Sequence, residues 1–216
     1  MGLSSSGFSA WDDFWRARGA EKAVSWSKKR ITGIVSRYLR PGMDILDAGC
    51  GAGFFSSYFI SRDCNVHSLD YSEKALSIAK NATDNKSRMY INADILKTGA
   101  LAMLDIKFDI IFTDGLLEHY SIENQDAIIR NMKSVKKEQG YIIDFAPNRI
   151  SLWNIIRPFV MNIEERPFTM SEFVSLHKRN GLSVVASGGI NVLPLRISPE
   201  RLLGSYFGML FYCIAA

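Results

Sequence analysis

The stretch Ile45-Leu46-Asp47-Ala48-Gly49-Cys50-Gly51-Ala52-Gly53-Phe54 decides how this chain is read. Asp44 to Ala48 is a short apolar run of strand type and Phe54 to Ser61 is helical in pattern, so the glycines sit where a strand hands over to a helix. Glycines at such a junction let the backbone turn sharply and approach a ligand with no Cβ in the way. The helix behind them presents unbonded N–H groups to that ligand. Alone, a glycine loop is a weak sign, and a structural turn explains it equally well.

Outward from the loop, short apolar runs alternate with helical stretches. Asn65 to Leu69 reads as a strand and Ser72 to Asn81 as a helix with Ser72 as N-cap. Arg88 to Ile91 and Phe108 to Thr113 are further strands, Ile122 to Lys136 an amphipathic helix, and Tyr141 to Phe145 another strand. This alternation predicts a doubly wound α/β domain with a parallel sheet covered on both faces. Right-handed crossovers then place any ligand at the C-terminal edge of the strands. Residues 1–40 read as an N-terminal helical cap on a domain spanning 41–216, and the irregular apolar stretch 148–168 reads as an insertion or lid. A helix at Thr169 to Asn180 and strands at Leu182 to Ala186 and Gly208 to Ala215 close the chain.

Composition narrows the classes. The chain has 216 residues, 47% apolar and 22% charged, which is globular and neither disordered nor fibrous. Its net charge of +4 permits anionic partners without demanding them. The lysine clusters Lys28-Lys29-Arg30 and Lys133-Lys136-Lys137 lack interleaved aromatics, so nucleic acid is a minority reading. Cys50, Cys64 and Cys213 are odd in number and have no zinc spacing; they read as reduced thiols, and with no secretory signal or membrane-length apolar run the expected location is cytoplasmic.

The glycine pattern excludes two nucleotide loops. Counting from Gly49, Phe54 fills the third position of G-x-G-x-x-G; counting from Gly51, Ser56 fills it, and G-x-x-x-x-G-K-[S/T] is absent. What remains, DAGCGAG from Asp47 to Gly53, resembles the first motif of class I S-adenosylmethionine-dependent methyltransferases, in particular their small-molecule branch. The resemblance covers about Asp44 to Asn148. It implies a Rossmann-like seven-stranded sheet with its last strand, here Gly208 to Ala215, antiparallel. It also implies S-adenosylmethionine as cofactor and S-adenosylhomocysteine as product, with Asp47, Gly49, Cys50, Gly51 and Gly53 forming the loop. Asp70, in HSLDYS, would accept from the ribose hydroxyls, flanked by Tyr71 and Ser72. Asp94 and the Ile95 amide would meet the adenine, while Asp114 and Leu116 would line the methionine end.

The segment Leu117-Glu118-His119 resembles the L-E-H of the same branch. His119 is the candidate base, because an imidazole takes up protons near neutral pH; Glu118 stands beside it, and a capping role is the competing reading. Gly115 stands where metal-binding relatives carry a first glutamate, so no metal is expected. Trp15, Tyr120 and Trp153 are the candidate acceptor contacts, in keeping with an aromatic or lipid-like small molecule. The competing readings are an RNA or protein methyltransferase, a non-catalytic partner subunit that keeps the fold, and a nicotinamide enzyme, which Phe54 disfavours.

Overall fold

The computed structural model describes Trp15 and residues 25–97, 99, 101–151, 165–193 and 197–216, with no side-chain placement at 102. The elements run α1 Trp26–Val35, β1 Asp44–Ala48, α2 Phe54–Ile60, β2 Asn65–Asp70, α3 Glu73–Ala82 and β3 Met89–Asn92. They continue with β4 Phe108–Asp114, a 3-10 turn Leu117–His119, α4 Ile122–Val135, β5 Lys136–Pro147, α5 Met170–Arg179, β6 Val184–Ile190, α6 Glu200–Phe207 and β7 Leu210–Ala215. The seven strands form one sheet in the order β3-β2-β1-β4-β5-β7-β6. Strands β1 to β5 are parallel, and β7 runs antiparallel between β5 and β6. The Rossmann-like sheet with an antiparallel last strand is therefore present.

Burial follows the sequence pattern. Strands β1 and β4 are apolar on both faces because helices cover both, and their Ile45, Leu46, Ile110, Ile111 and Phe112 are all fully buried. One core packs α4 and α5 against the sheet through Ile128, Ile129, Phe173 and Leu176. The other packs α1 and α2 on the opposite face through Ile31, Val35, Phe55 and Phe59. Helix starts are locally encoded: Ser25, Ser72 and Ser121 each accept a first-turn amide, and Thr169 with Glu172 forms a full capping box.

Three expectations change. β6 spans Val184–Ile190 instead of Leu182 to Ala186, and β5 extends to Pro147. The expected strand Gly208 to Ala215 is shortened to Leu210–Ala215, because Gly208 caps a helix that the apolar run concealed, α6. Two calls fall partly or wholly outside the described residues: most of the N-terminal cap, and most of the insertion, including Trp153. Two lysines of the second cluster make structural bonds. Lys133 donates to the Asn180 and Gly181 carbonyls at 3.0 Å each, and Lys137 bridges Asp44 and Asp109 at 2.9 and 2.7 Å.

Candidate active site

β1 and β4 are neighbours, but the chain leaves β1 toward β2 on one side and β4 leads to β5 on the other. Loops diverging from such a switch point leave a crevice at the strand ends. A cavity of about 430 Å³ occupies it, lined by the glycine loop, the ends of β2 and β4, and the Leu117–His119 turn.

The loop itself is bound to the next strand. Gly49 and Cys50 amides both donate to the Leu69 carbonyl, at 2.8 and 2.9 Å. The Gly51 amide donates to Asp70 Oδ2 at 3.0 Å, and the Ser72 amide donates to Asp70 Oδ1 at 2.9 Å. Asp70 is thus oriented by two backbone amides before any ligand arrives, and it lines the cavity with Tyr71. Gly51 has φ +50, and a Cβ there would lie 2.7 Å from Trp15 Cζ2. Trp15 therefore lies over the glycine loop and lines the cavity there.

Several of the expected cofactor residues do structural work instead of facing the cavity. Gly53 has φ +80 and sits against α3, where a Cβ would be 2.7 Å from Ala79 Cα. Ser72 caps α3 by accepting from the Ala75 amide at 3.1 Å. Asp94 accepts from the Leu96 amide at 2.9 Å and is absent from the cavity wall, which its neighbours Ala93 and Ile95 form. Cys50 lines the cavity, and burial, then the charges of Asp47 and Asp70, push its thiol well above its ordinary range, which disfavours the thiolate.

Asp47, buried at the end of β1, accepts from Ser56 Oγ at 2.6 Å. Burial pushes its carboxyl up to about 7 against the pull of the Ser56 bonds, and the nearby Asp114 and Asp70 charges add to the rise. Three carboxylates on one wall, Asp47, Asp70 and Asp114, make the cavity a place for hydroxyl donors and positive charge. That set of acceptors fits a ligand carrying a ribose and a sulfonium.

Past the end of β4, Gly115 (φ +76) donates its amide to the Phe145 carbonyl at 3.0 Å and turns the chain into Leu116, which lies against Gly49, and on to Glu118 and His119. Gln125, which the sequence reading missed, donates from Nε2 to the Leu117 and Tyr120 carbonyls at 3.0 Å each, so α4 holds this turn in place. Tyr120 is nearly buried, and burial followed by the Asp94 and Asp70 charges raises its phenol, which stays protonated. It lies toward Asp94 and Asp70. Glu165 joins the wall because the Arg166 amide donates to the Glu118 carbonyl at 2.7 Å. Donor atoms of Glu118, His119 and Glu165 all lie within 4.8 Å of one another. The sequence offered two adjacent groups; the fold adds a third from a distant segment that no local spacing could reveal. Such a trio suits a divalent ion or a proton relay alike.

The family assignment agrees with this geometry. Residues 39–186 match the family model described as "Methyltransferase domain". The chain belongs to that family. The cofactor of the family is S-adenosylmethionine. Among curated proteins, the chain is 31% identical over 112 residues to magnesium-protoporphyrin O-methyltransferase of Synechocystis sp., covering 52% of this chain and 48% of that one. It is 32% identical over 128 residues to malonyl-[acyl-carrier protein] O-methyltransferase of Hamiltonella defensa, covering 59% and 45%. The chain thus spans about half the length of these relatives. The crystal structure of the Synechocystis magnesium protoporphyrin IX methyltransferase with bound S-adenosylhomocysteine superposes with a TM-score of 0.64 at 18% identity, covering 99% of this chain and 94% of that one. That match establishes the shared fold.

Proposed function

We propose that this methyltransferase-family chain transfers a methyl group from S-adenosylmethionine to an oxygen of an apolar or aromatic small molecule. The observation that carries the reading is the Asp70 carboxylate, held by the Gly51 and Ser72 amides at the rim of the switch-point cavity. Bound S-adenosylmethionine supplies an electrophilic methyl on a sulfonium sulfur. Asp70 accepts from the ribose hydroxyls. The Ile95 amide, with Asp94 beside it, meets the adenine, and Tyr71 and Tyr120 flank the nucleoside. Gly49, Gly51, Asp47, Asp114 and Leu116 enclose the amino-acid end.

His119, half-buried beside Glu118 on the turn that α4 holds, takes the proton from the acceptor hydroxyl. Fixing the nucleophile in line can account for roughly 7–11 kcal/mol of the barrier, so a rigid cavity matters more than covalent chemistry. The acceptor lies toward Phe54, Met209 and Leu210, apolar members of the wall. Residues 1–40 act as a cap and 148–168 as a lid, with Trp153 among the acceptor contacts. Both curated relatives are named O-methyltransferases, which supports oxygen as the acceptor atom. Lys28 on the cavity wall favours an acceptor that also carries negative charge.

Calorimetric titration with S-adenosylmethionine, S-adenosylhomocysteine and NADH tests the cofactor half of this reading. Binding of the first two alone is expected; absence of both would leave a fold retained for a partner role.

A further inference from the structure

Helix α6 is mounted inside out. Its inward face is Gly204, so close to β6 that a Cβ there would overlap the Gly189 carbonyl. A helix seated on a glycine contact points its larger side chains elsewhere. Leu202, Tyr206 and Phe207 are 82%, 69% and 55% exposed, and Leu203 shares their face at i, i+1, i+4, i+5 spacing. Ile197, just before the helix, is 86% exposed. Singly exposed apolar residues are ordinary in folded proteins, but a contiguous helical face of them marks a surface that something else covers.

The surroundings of the face are cationic. Arg30 on α1 pairs with Glu200 of α6 at 2.5 Å and donates to Asn191 Oδ1 at 2.6 Å, while Asn191 donates to Ser27 Oγ at 2.7 Å. These bonds hold α1 beside α6, and α1 brings exposed Trp26 with Lys29 Nζ 4.7 Å over its ring. Around this face Lys29 and Arg201 are exposed, Lys28 is half-buried on α1, and Glu200, the one acid of α6, is paired with Arg30. Aromatic and aliphatic side chains beside lysine and arginine are the composition that settles into an anionic lipid headgroup layer.

We propose that the α6 face, with Trp26 and the cations of α1, docks this protein on the surface of a negatively charged lipid bilayer. No helix among the described residues is long and apolar enough to cross a membrane, so the contact is interfacial. Position adds a reason: Met209 and Leu210, which follow α6 directly, and Lys28 on α1 all line the cavity. An acceptor dissolved in the lipid layer would have a short apolar path to the site. The docking surface stands independently of which acceptor is used.

Vesicle flotation tests it. The full chain is mixed with phosphatidylcholine vesicles or with equal phosphatidylcholine and phosphatidylglycerol, at low and high salt. Retention on the anionic vesicles is expected, weakened by salt, and reduced about tenfold or more by the pair Leu202→Glu and Tyr206→Glu. Unchanged melting temperature and S-adenosylmethionine affinity would show that the pair leaves fold and site intact. Should the glutamate pair fail to fold, Ile197→Ser with Leu202→Ser removes apolar area without adding charge and carries the same expectation. The proposal is overturned if the unmodified chain ignores anionic vesicles, or if the folded variants bind as well as it does. It is equally overturned if the chain instead forms a concentration-dependent dimer in sedimentation velocity that these variants abolish, because a second copy then covers the face.

Discussion

Two aspartates on the same sheet show how one residue type takes opposite roles. Asp70 sits at the last position of β2, where the strand ends; its carboxylate accepts two amides and still borders a cavity. Asp144 sits inside β5, fully buried, with Oδ1 accepting from Thr113 Oγ1 at 2.5 Å and Oδ2 bonded to His177 Nε2 at 2.5 Å. His177 donates from its other nitrogen, Nδ1, to the Phe173 carbonyl at 2.9 Å. Burial alone would push the His177 imidazolium down, yet the Asp144 carboxylate holds it up to about 10. With one nitrogen committed to a carbonyl and the other to a carboxylate, the ring is a buried cation that ties α5 to the sheet. The difference between the two acids is one of position along a strand. At the strand end a carboxylate can meet a ligand; in mid-strand it must be answered by the protein itself.

The largest effect belongs to the buried pair. Asp144→Ala should lower unfolding free energy by about 3–5 kcal/mol, because it leaves a buried imidazolium unanswered. The folded fraction should still bind S-adenosylmethionine with unchanged affinity. Urea denaturation gives the first quantity and calorimetry the second; a loss below about 1 kcal/mol would remove the ion pair from the account.

His119→Ala carries the next effect. Turnover should fall about 10²-fold or more with cofactor affinity preserved, and full activity would return His119 to a capping role. Third comes Asp70→Ala, which should weaken cofactor binding by about 1–3 kcal/mol, with a smaller loss of stability from the freed Gly51 and Ser72 amides. An equal loss of stability and affinity would erase the contrast with Asp144.

The remaining prediction concerns pH. His177 binds its proton more tightly folded, at about 10, than at its ordinary 6.5, so its contribution to stability is complete below about 6.5 and is lost as pH rises through 10. Asp47 acts in the same direction over a lower window: raised from 3.8 to about 7, it holds its proton in the folded state, and stability declines as pH rises from 3.8 through 7. Melting temperatures across pH 4 to 10 should therefore fall toward the alkaline end. Asp47→Asn should flatten the acidic part of that slope and leave the alkaline part in place.

Much of this was readable in the chain before folding. DAGCGAG with Asp70 at the next strand end pointed to the edge of the sheet where the cavity lies, since strand periodicity, glycine at positive φ and serine caps are set by residues within a few positions of one another. Asp94 shows what that reading leaves out: its identity suggests a ligand contact, and the fold adds a local bond from the Leu96 amide to Asp94 Oδ1. His177 reads as a structural histidine on a helix, but nothing near it announces Asp144, 33 positions earlier in the chain.

The sequence by itself determined the order of strands and helices, the glycine turn and the acids that follow each early strand, because those depend on neighbours along the backbone. Only the tertiary structure decided that Glu165 joins Glu118 and His119, that His177 is locked by Asp144, and that α6 turns its apolar face outward. Each of these depends on segments far apart in sequence packing against one another. For α6 the deciding contact is Gly204 on Gly189: with no side chain between helix and strand, the backbones close up and the leucines and aromatics are left outside.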